Sequence, residues 1–193
     1  MPPIVLASTS PYRRELLQRL RLPFSVRAPD VEERARFGEA PHETALRLAQ
    51  AKAQAVARHH PESVVIGSDQ VADVNGEALS KPGTHEAALA QLVRLQGRTV
   101  VFHTALAVID VRGRCLIDSV PTTVRFRNLP LDRLEAYLRA EQPYDCAGAA
   151  KIESLGITLV ESVTSDDPTA LIGLPLIRLT SMLNACDVLL PGA

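Results

Sequence analysis

A mixed α/β fold is predicted by three features of the chain. Short apolar runs, Ile4–Ala7 and Val64–Val71, alternate with segments of helical periodicity, Pro11–Leu20 and Pro41–His59. The run Val64-Val65-Ile66-Gly67-Ser68-Asp69-Gln70-Val71 carries no charge until Asp69, the pattern of a strand buried on both faces. Asn75-Gly76 between two further apolar runs is a two-residue hairpin signal, which adds antiparallel pairing to the sheet.

Each element has its own local warrant. Ile4–Ala7 is a short buried strand, broken by Ser8-Thr9-Ser10-Pro11. Ser10 as N-cap and Pro11 at the first helical position start a helix whose face is Leu16, Leu17 and Leu20. Leu22–Val26 reads as a second strand and Asp30-Val31-Glu32-Glu33 as an acidic loop. Pro41–His59 is rich in helix formers. Two stripes compete on it: Ala45, Leu48, Ala49 and Val56, which would carry Lys52 inward, or Leu46, Ala49, Ala53 and Val56, which would leave Lys52 near the polar boundary. Thr84 caps a helix that runs to Gln96 and stops at Gly97. Arg98–Val111 is a long strand, turned by Arg112-Gly113 into a partner that ends near Asn128. His103 within it reads as a satisfied or edge histidine. Pro130–Glu141 is an amphipathic helix, Ile157–Val160 a strand, and Pro175–Cys186 the final helix.

Length and composition narrow the function. The 193 residues suit one domain spanning 1–193, or two lobes that share a sheet. A net charge of −1 argues against a general nucleic-acid or membrane-surface binder. No apolar run approaches the ~20 residues that span a bilayer, and the first residues carry no basic leader. Cys115, Cys146 and Cys186 are widely spaced and lack a CxxC pair, as expected of reduced thiols in a cytoplasm.

The polar residues offer anion chemistry beside plainer structural roles. Asp69 either terminates its strand or faces a ligand crevice. Two arginines, Arg13 and Arg14, sit in a helix's first turn, where the macrodipole disfavours positive charge. With Ser8 and Ser10 that turn is either an anion site or a plain cap with solvated arginines. Asp30, Glu32 and Glu33 are either a solvated turn or part of a divalent-metal site. Lys81 is either an ordinary exposed lysine or a second cleft cation. Phosphate-binding glycine fingerprints and the nucleophile-elbow pattern are missing from the sequence.

Ala7-Ser8-Thr9-Ser10-Pro11-Tyr12-Arg13-Arg14-Glu15-Leu16-Leu17 resembles the opening motif of the Maf family of nucleotide pyrophosphatases. The likeness continues, in family order, through Ala49–Ala53, Gly67–Val71, Lys81–Gly83, Tyr144–Gly148, Lys151–Glu153 and Asp167–Pro175. The resemblance implies an elongated, two-lobed α/β fold of the Maf/ITPase kind, with a mixed, bent central sheet and a deep cleft between the lobes. It also implies a homodimer and cleavage of a nucleoside triphosphate to monophosphate and pyrophosphate with a divalent cation, Mg²⁺ or Mn²⁺. By the same resemblance Asp69 matches the proton acceptor, and Ser8, Ser10, Arg13, Glu33, Lys52 and Lys81 match the polar cleft set, with Glu33 and Asp69 expected to hold the metal. Tyr12, Gln70 and Glu153 look like the branch that acts on 7-methyl-GTP. An aromatic face at Tyr12 suits a cationic base, and a carboxylate at Glu153 suits the guanine N–H edge. The alternatives are a pyrimidine-triphosphate (dTTP or UTP) pyrophosphatase and a nucleotide-sensing regulator of septum formation.

Overall fold

In the computed structural model, which describes residues 1–190, the strands and helices follow as β1 (Ile4–Ala7), α1 (Pro11–Gln18), β2 (Phe24–Arg27), α2 (Pro41–Ala57), β3 (Val64–Val74), β4 (Glu77–Leu79), α3 (His85–Leu95), β5 (Thr99–Ile109), β6 (Cys115–Phe126), α4 (Leu131–Glu141), β7 (Val160–Ser165) and α5 (Leu176–Asn184). The seven strands form one mixed sheet in the order β2-β1-β3-β5-β6-β7, with β4 attached to β3. β1 pairs in parallel with both β2 and β3, while every pairing from β3 onward through β4, β5, β6 and β7 is antiparallel.

Alternation along β3 sorts its side chains onto two faces. Val64 and Ile66 join Ile4, Leu6, Leu106 and Val108 under α1 and α5. Val65 points the other way, with Val5, Ala7 and Ala107, against α2. The far half of the strand, Ala72 and Val74, belongs to a third cluster with Leu92, Phe102, Val124 and Leu138, under α3 and α4. Each fully buried aliphatic side chain in these clusters stabilises the fold by roughly 1.5–3 kcal/mol.

Two departures from the sequence expectations shape the site. β3 does not terminate at Asp69 but continues to Val74, held by β5 while its neighbours on the other edge change. β1 accompanies it only as far as Gly67, β4 joins the same edge only from Ala72, and β5 lines the opposite edge throughout. Ser68, Asp69, Gln70 and Val71 therefore pair with β5 alone and leave one edge open. The second departure is at Ile157–Val160, where Leu155–Leu159 is a 3-10 turn and the strand begins at Val160. Buried Leu159 and Val160 produced the apolar signal. The strand itself is an exposed, polar edge, Glu161–Thr164, which apolar alternation does not mark.

Candidate active site

The gap in the sheet edge is where the functional side chains gather. Asp69, on the α2 face of β3 by alternation, is only 7% exposed, and Lys52 of α2 is 4% exposed. The Lys52 Nζ donates to Asp69 Oδ1 at 2.7 Å and reaches Glu33 Oε1 at 2.8 Å. Lys52 thus lies on the stripe of Ala45, Leu48, Ala49 and Val56, deciding between the two readings. The cause is Gly67: a β-carbon there would stand 2.3 Å from the Ala49 carbonyl oxygen and 2.7 Å from the Ala53 nitrogen. Only glycine lets α2 settle so close to β3, and that contact carries the lysine to the aspartate.

The charges are balanced against burial. Burial pushes the Asp69 carboxyl above the usual carboxylate range, against the pull of Lys52 and Arg13. Burial also raises Glu33, but Lys52, Lys81 and Arg13 outweigh it and hold that carboxyl below its ordinary value. Burial lowers the Arg13 guanidinium, offset in part by Asp69 and Glu33. Arg13, Lys52, Glu33 and Asp69 are therefore one electrostatic unit. Lys81 lies exposed after β4 and makes no ion pair among the described residues; only its field reaches Glu33.

The hydroxyl turn is built somewhat differently from a free-amide anion nest. Ser8 Oγ accepts from the Ser10 N–H at 3.1 Å, and Ser10 Oγ caps α1 by accepting from the Arg13 N–H at 3.4 Å. Two backbone donors are thereby used within the turn, and the hydroxyl hydrogens of Ser8 and Ser10 are left available as donors. Arg13 donates through Nε to the Gly173 carbonyl at 2.9 Å, which fixes its stem; its outer guanidinium nitrogens make no hydrogen bond among the described residues.

The three residues expected to set specificity are dispersed. Tyr12 stands in the first turn of α1, with the Lys151 ammonium 5.6 Å from its ring centre. Contact with Tyr12 raises the Lys151 pKa. Glu153 is exposed and lines a shallow concavity of about 160 Å³ with Thr122, Leu171 and Ile172. Gln70 lies on the opposite face of β3 from Asp69, and its Nε2 contacts Thr104 Oγ1 at 2.9 Å, the Ala170 carbonyl at 3.1 Å and the Leu171 carbonyl at 3.0 Å.

Several participants were not singled out from the sequence as site residues. Ser68 and Thr104, both wholly buried, donate to the carbonyls of Gly173 (3.0 Å) and Ala170 (2.9 Å). Arg47 forks onto Glu39 (2.5 and 2.7 Å) and also holds the Arg34 carbonyl at 3.0 Å, tying the loop that bears Glu33 to α2. A polar residue on an otherwise apolar strand was the available clue to Thr104, and Ser68 also falls in the Gly67–Val71 block. His103 pairs with Asp73 at 3.2 Å and is a satisfied histidine, as read from the sequence.

Residues 3–186 match the family model described as Maf-like protein. The chain belongs to the Maf family. Two relatives, each named 7-methyl-GTP pyrophosphatase, come from Albidiferax ferrireducens (56% identical, covering 98% of this chain and 96% of the relative) and a Polaromonas species (61% identical, covering 97% and 86%). Among solved structures, this Maf protein is similar to the Staphylococcus aureus Ham1 protein, with a TM-score of 0.49 and 19% identity over 65% of this chain and 72% of that one. No helix among the described residues of this Maf protein is long and apolar enough to cross a membrane.

Proposed function

We propose that this Maf protein is a nucleoside triphosphate pyrophosphatase that hydrolyses 7-methyl-GTP to 7-methyl-GMP and pyrophosphate. The observation that carries the reading is the buried Asp69 carboxylate, set in a break of the sheet edge and faced by Lys52, Glu33 and Arg13. A water held by Asp69 attacks the α-phosphorus and gives its proton to the carboxylate as the new O–P bond forms. The bond from the α-phosphorus to the bridging oxygen breaks, and pyrophosphate leaves with the electron pair. Arg13, Lys52 and Lys81 offset the charge that builds on the departing group, while the Ser8 and Ser10 hydroxyls donate to phosphate oxygens.

The donor set fits a divalent cation. Glu33 and Asp69 already converge on one positive group, the Lys52 ammonium, and Asp69 Oδ2 accepts no hydrogen bond among the described residues. Two carboxylates suit Mg²⁺ or Mn²⁺, whose remaining ligands would be phosphate oxygens and water. Such an ion, held by Glu33 and Asp69, would neutralise triphosphate charge.

For base recognition, the Tyr12 ring, which holds the Lys151 ammonium here, is a face that suits a positively charged guanine, and Glu153, in its own concavity, offers a carboxylate to the guanine edge. The names of the relatives support the same substrate. The family resemblance supports a homodimer, and the three unpaired thiols suit a reducing cytoplasm.

Pyrophosphate release from 7-methyl-GTP, GTP, UTP and dTTP tests the reading, with 7-methyl-GTP expected to give the highest kcat/KM. Asp69→Asn should abolish turnover while nucleotide still binds by calorimetry. Near-normal turnover in that variant would remove Asp69 from the chemistry.

A further inference from the structure

The segment Ala170–Gly173 touches both ends of the site. At its start, the Ala170 and Leu171 carbonyls accept from Gln70 Nε2, and Thr104 Oγ1 donates to Ala170 as well. At its end, the Gly173 carbonyl accepts from Ser68 Oγ and from Arg13 Nε. Between them, Leu171 and Ile172 form a wall of the concavity that holds Glu153. The two flanks of the segment are tied to each other independently. Asp167, 2% exposed, accepts from the N–H groups of Thr169 and Ile177 at 2.9 and 2.7 Å, and Thr169 Oγ1 bridges Leu174 and Leu176.

Gln70 is committed to this segment. All three of its close partners are acceptors, which fixes the amide orientation, and two N–H hydrogens are shared among them. It stands on the face of β3 away from Asp69 and Lys52, so its amide nitrogen is not presented to a ligand in the gap. Gly173, with φ of 120°, stacks directly on the Arg13 stem; a β-carbon there would meet Nε at 3.6 Å. Moving the segment therefore moves Arg13.

We infer that Gln70 is a positioning residue: it sets the Ala170–Gly173 segment, and that segment in turn shapes the base pocket at Leu171 and Ile172 and holds Arg13 for the phosphates. The inference rests on the reading of the site as a nucleotide pyrophosphatase. It assigns to the residue after Asp69 an effect on phosphate binding as well as on base choice.

Inorganic pyrophosphate separates the two roles because it has no base. Calorimetric binding of magnesium pyrophosphate to the wild type, Gln70→Met and Thr104→Val measures the phosphate end alone. Both substitutions are neutral and close in size, and thermal unfolding checks that each variant is folded. Loss of one or two buried hydrogen bonds to the segment is expected to weaken pyrophosphate binding roughly five- to tenfold in both variants. The kcat on 7-methyl-GTP and on GTP should fall together. Glu153→Gln, at the base end, should shift the ratio of the two nucleotides and leave pyrophosphate binding in place. Unchanged pyrophosphate affinity in folded Gln70→Met and Thr104→Val, with only the nucleotide ratio altered, would overturn the inference and make Gln70 a direct base contact. If the wild type bound pyrophosphate but left 7-methyl-GTP intact, the substrate reading would fail while the pyrophosphate comparison still decided the role of Gln70.

Discussion

Asp69 is held between two opposed influences, and its pH behaviour follows from their order. Burial is the larger and raises its pKa; Lys52 and Arg13 pull it back down. A carboxylate whose folded pKa exceeds its unfolded value costs the fold stability when ionised. That cost is fully present above the folded pKa and is relieved as pH falls through it toward the unfolded value. As a base, Asp69 is useful only above the folded pKa, so the acid limb of kcat/KM should lie above that of an ordinary carboxylate. Lys52→Met removes the strongest attraction acting on it. The acid limb measured by pyrophosphate release should then move to still higher pH. At neutral pH the variant should also lose about 3 kcal/mol, as expected when a buried ion pair is left with one partner. Denaturation at neutral and at acid pH checks the assignment: the loss should shrink as Asp69 takes up its proton. A constant loss across pH would assign it to packing of the lysine stem.

At the scale of elements, two contacts set where the site residues stand. Gly67→Ala would drive a β-carbon into the α2 backbone at Ala49 and Ala53, and neither backbone can yield without lifting the helix. A loss of about 3 kcal/mol is expected from such overpacking, read from the urea midpoint, together with a larger fractional loss of kcat because Lys52 retreats from Asp69. The second contact is the Arg47–Glu39 fork, which anchors the loop carrying Glu33. Glu39 accepts from Arg47, from the Arg36 N–H and from Thr44 Oγ1, and its pKa is held down to about 2. The clamp's contribution is therefore complete above the ordinary glutamate range and fades only as pH falls toward about 2. Arg47→Ala should speed amide exchange across residues 31–39 at neutral pH, with the core strands unaffected. Much of this level was legible in the chain. Ser10 and Thr84 cap their helices as their residue types indicate, and Asn75 and Gly76 both adopt the positive φ that the hairpin signal requires. The close seat of α2 was not legible, because a glycine inside an apolar run does not announce which backbone will approach it. The loops at 31–39 and 170–173 are held by side chains gripping carbonyls, and such bonds have no period to read.

For the whole molecule, the decisive feature is the continuity of β3 and β5 through all three apolar clusters. Asp69 was visible from sequence as the first charge on a buried run, but the reason the sheet edge opens beside it was not. That reason is a change of partner, β1 ending at Gly67 and β4 beginning at Ala72, and no local pattern encodes where a neighbouring strand stops. The break opens one edge of β3 and leaves the other fully paired with β5 from Val65 to Asp73. The site therefore interrupts the sheet without dividing it. Ile66 and Val108 on one side of the break and Ala72 and Phe102 on the other lie on the same two strands. The two ends of the sheet should unfold as one cooperative unit, as a single domain would. Hydrogen exchange under native conditions with increasing urea tests this directly. The slowest amides of β1 and of the first half of β3 should converge on the same free energy and urea dependence as those at Phe102 and Val124. Opening of the α3–α4 end at a distinctly lower free energy, with the β1 end still protected, would mean that the four-residue window weakens the sheet enough to make two units of it.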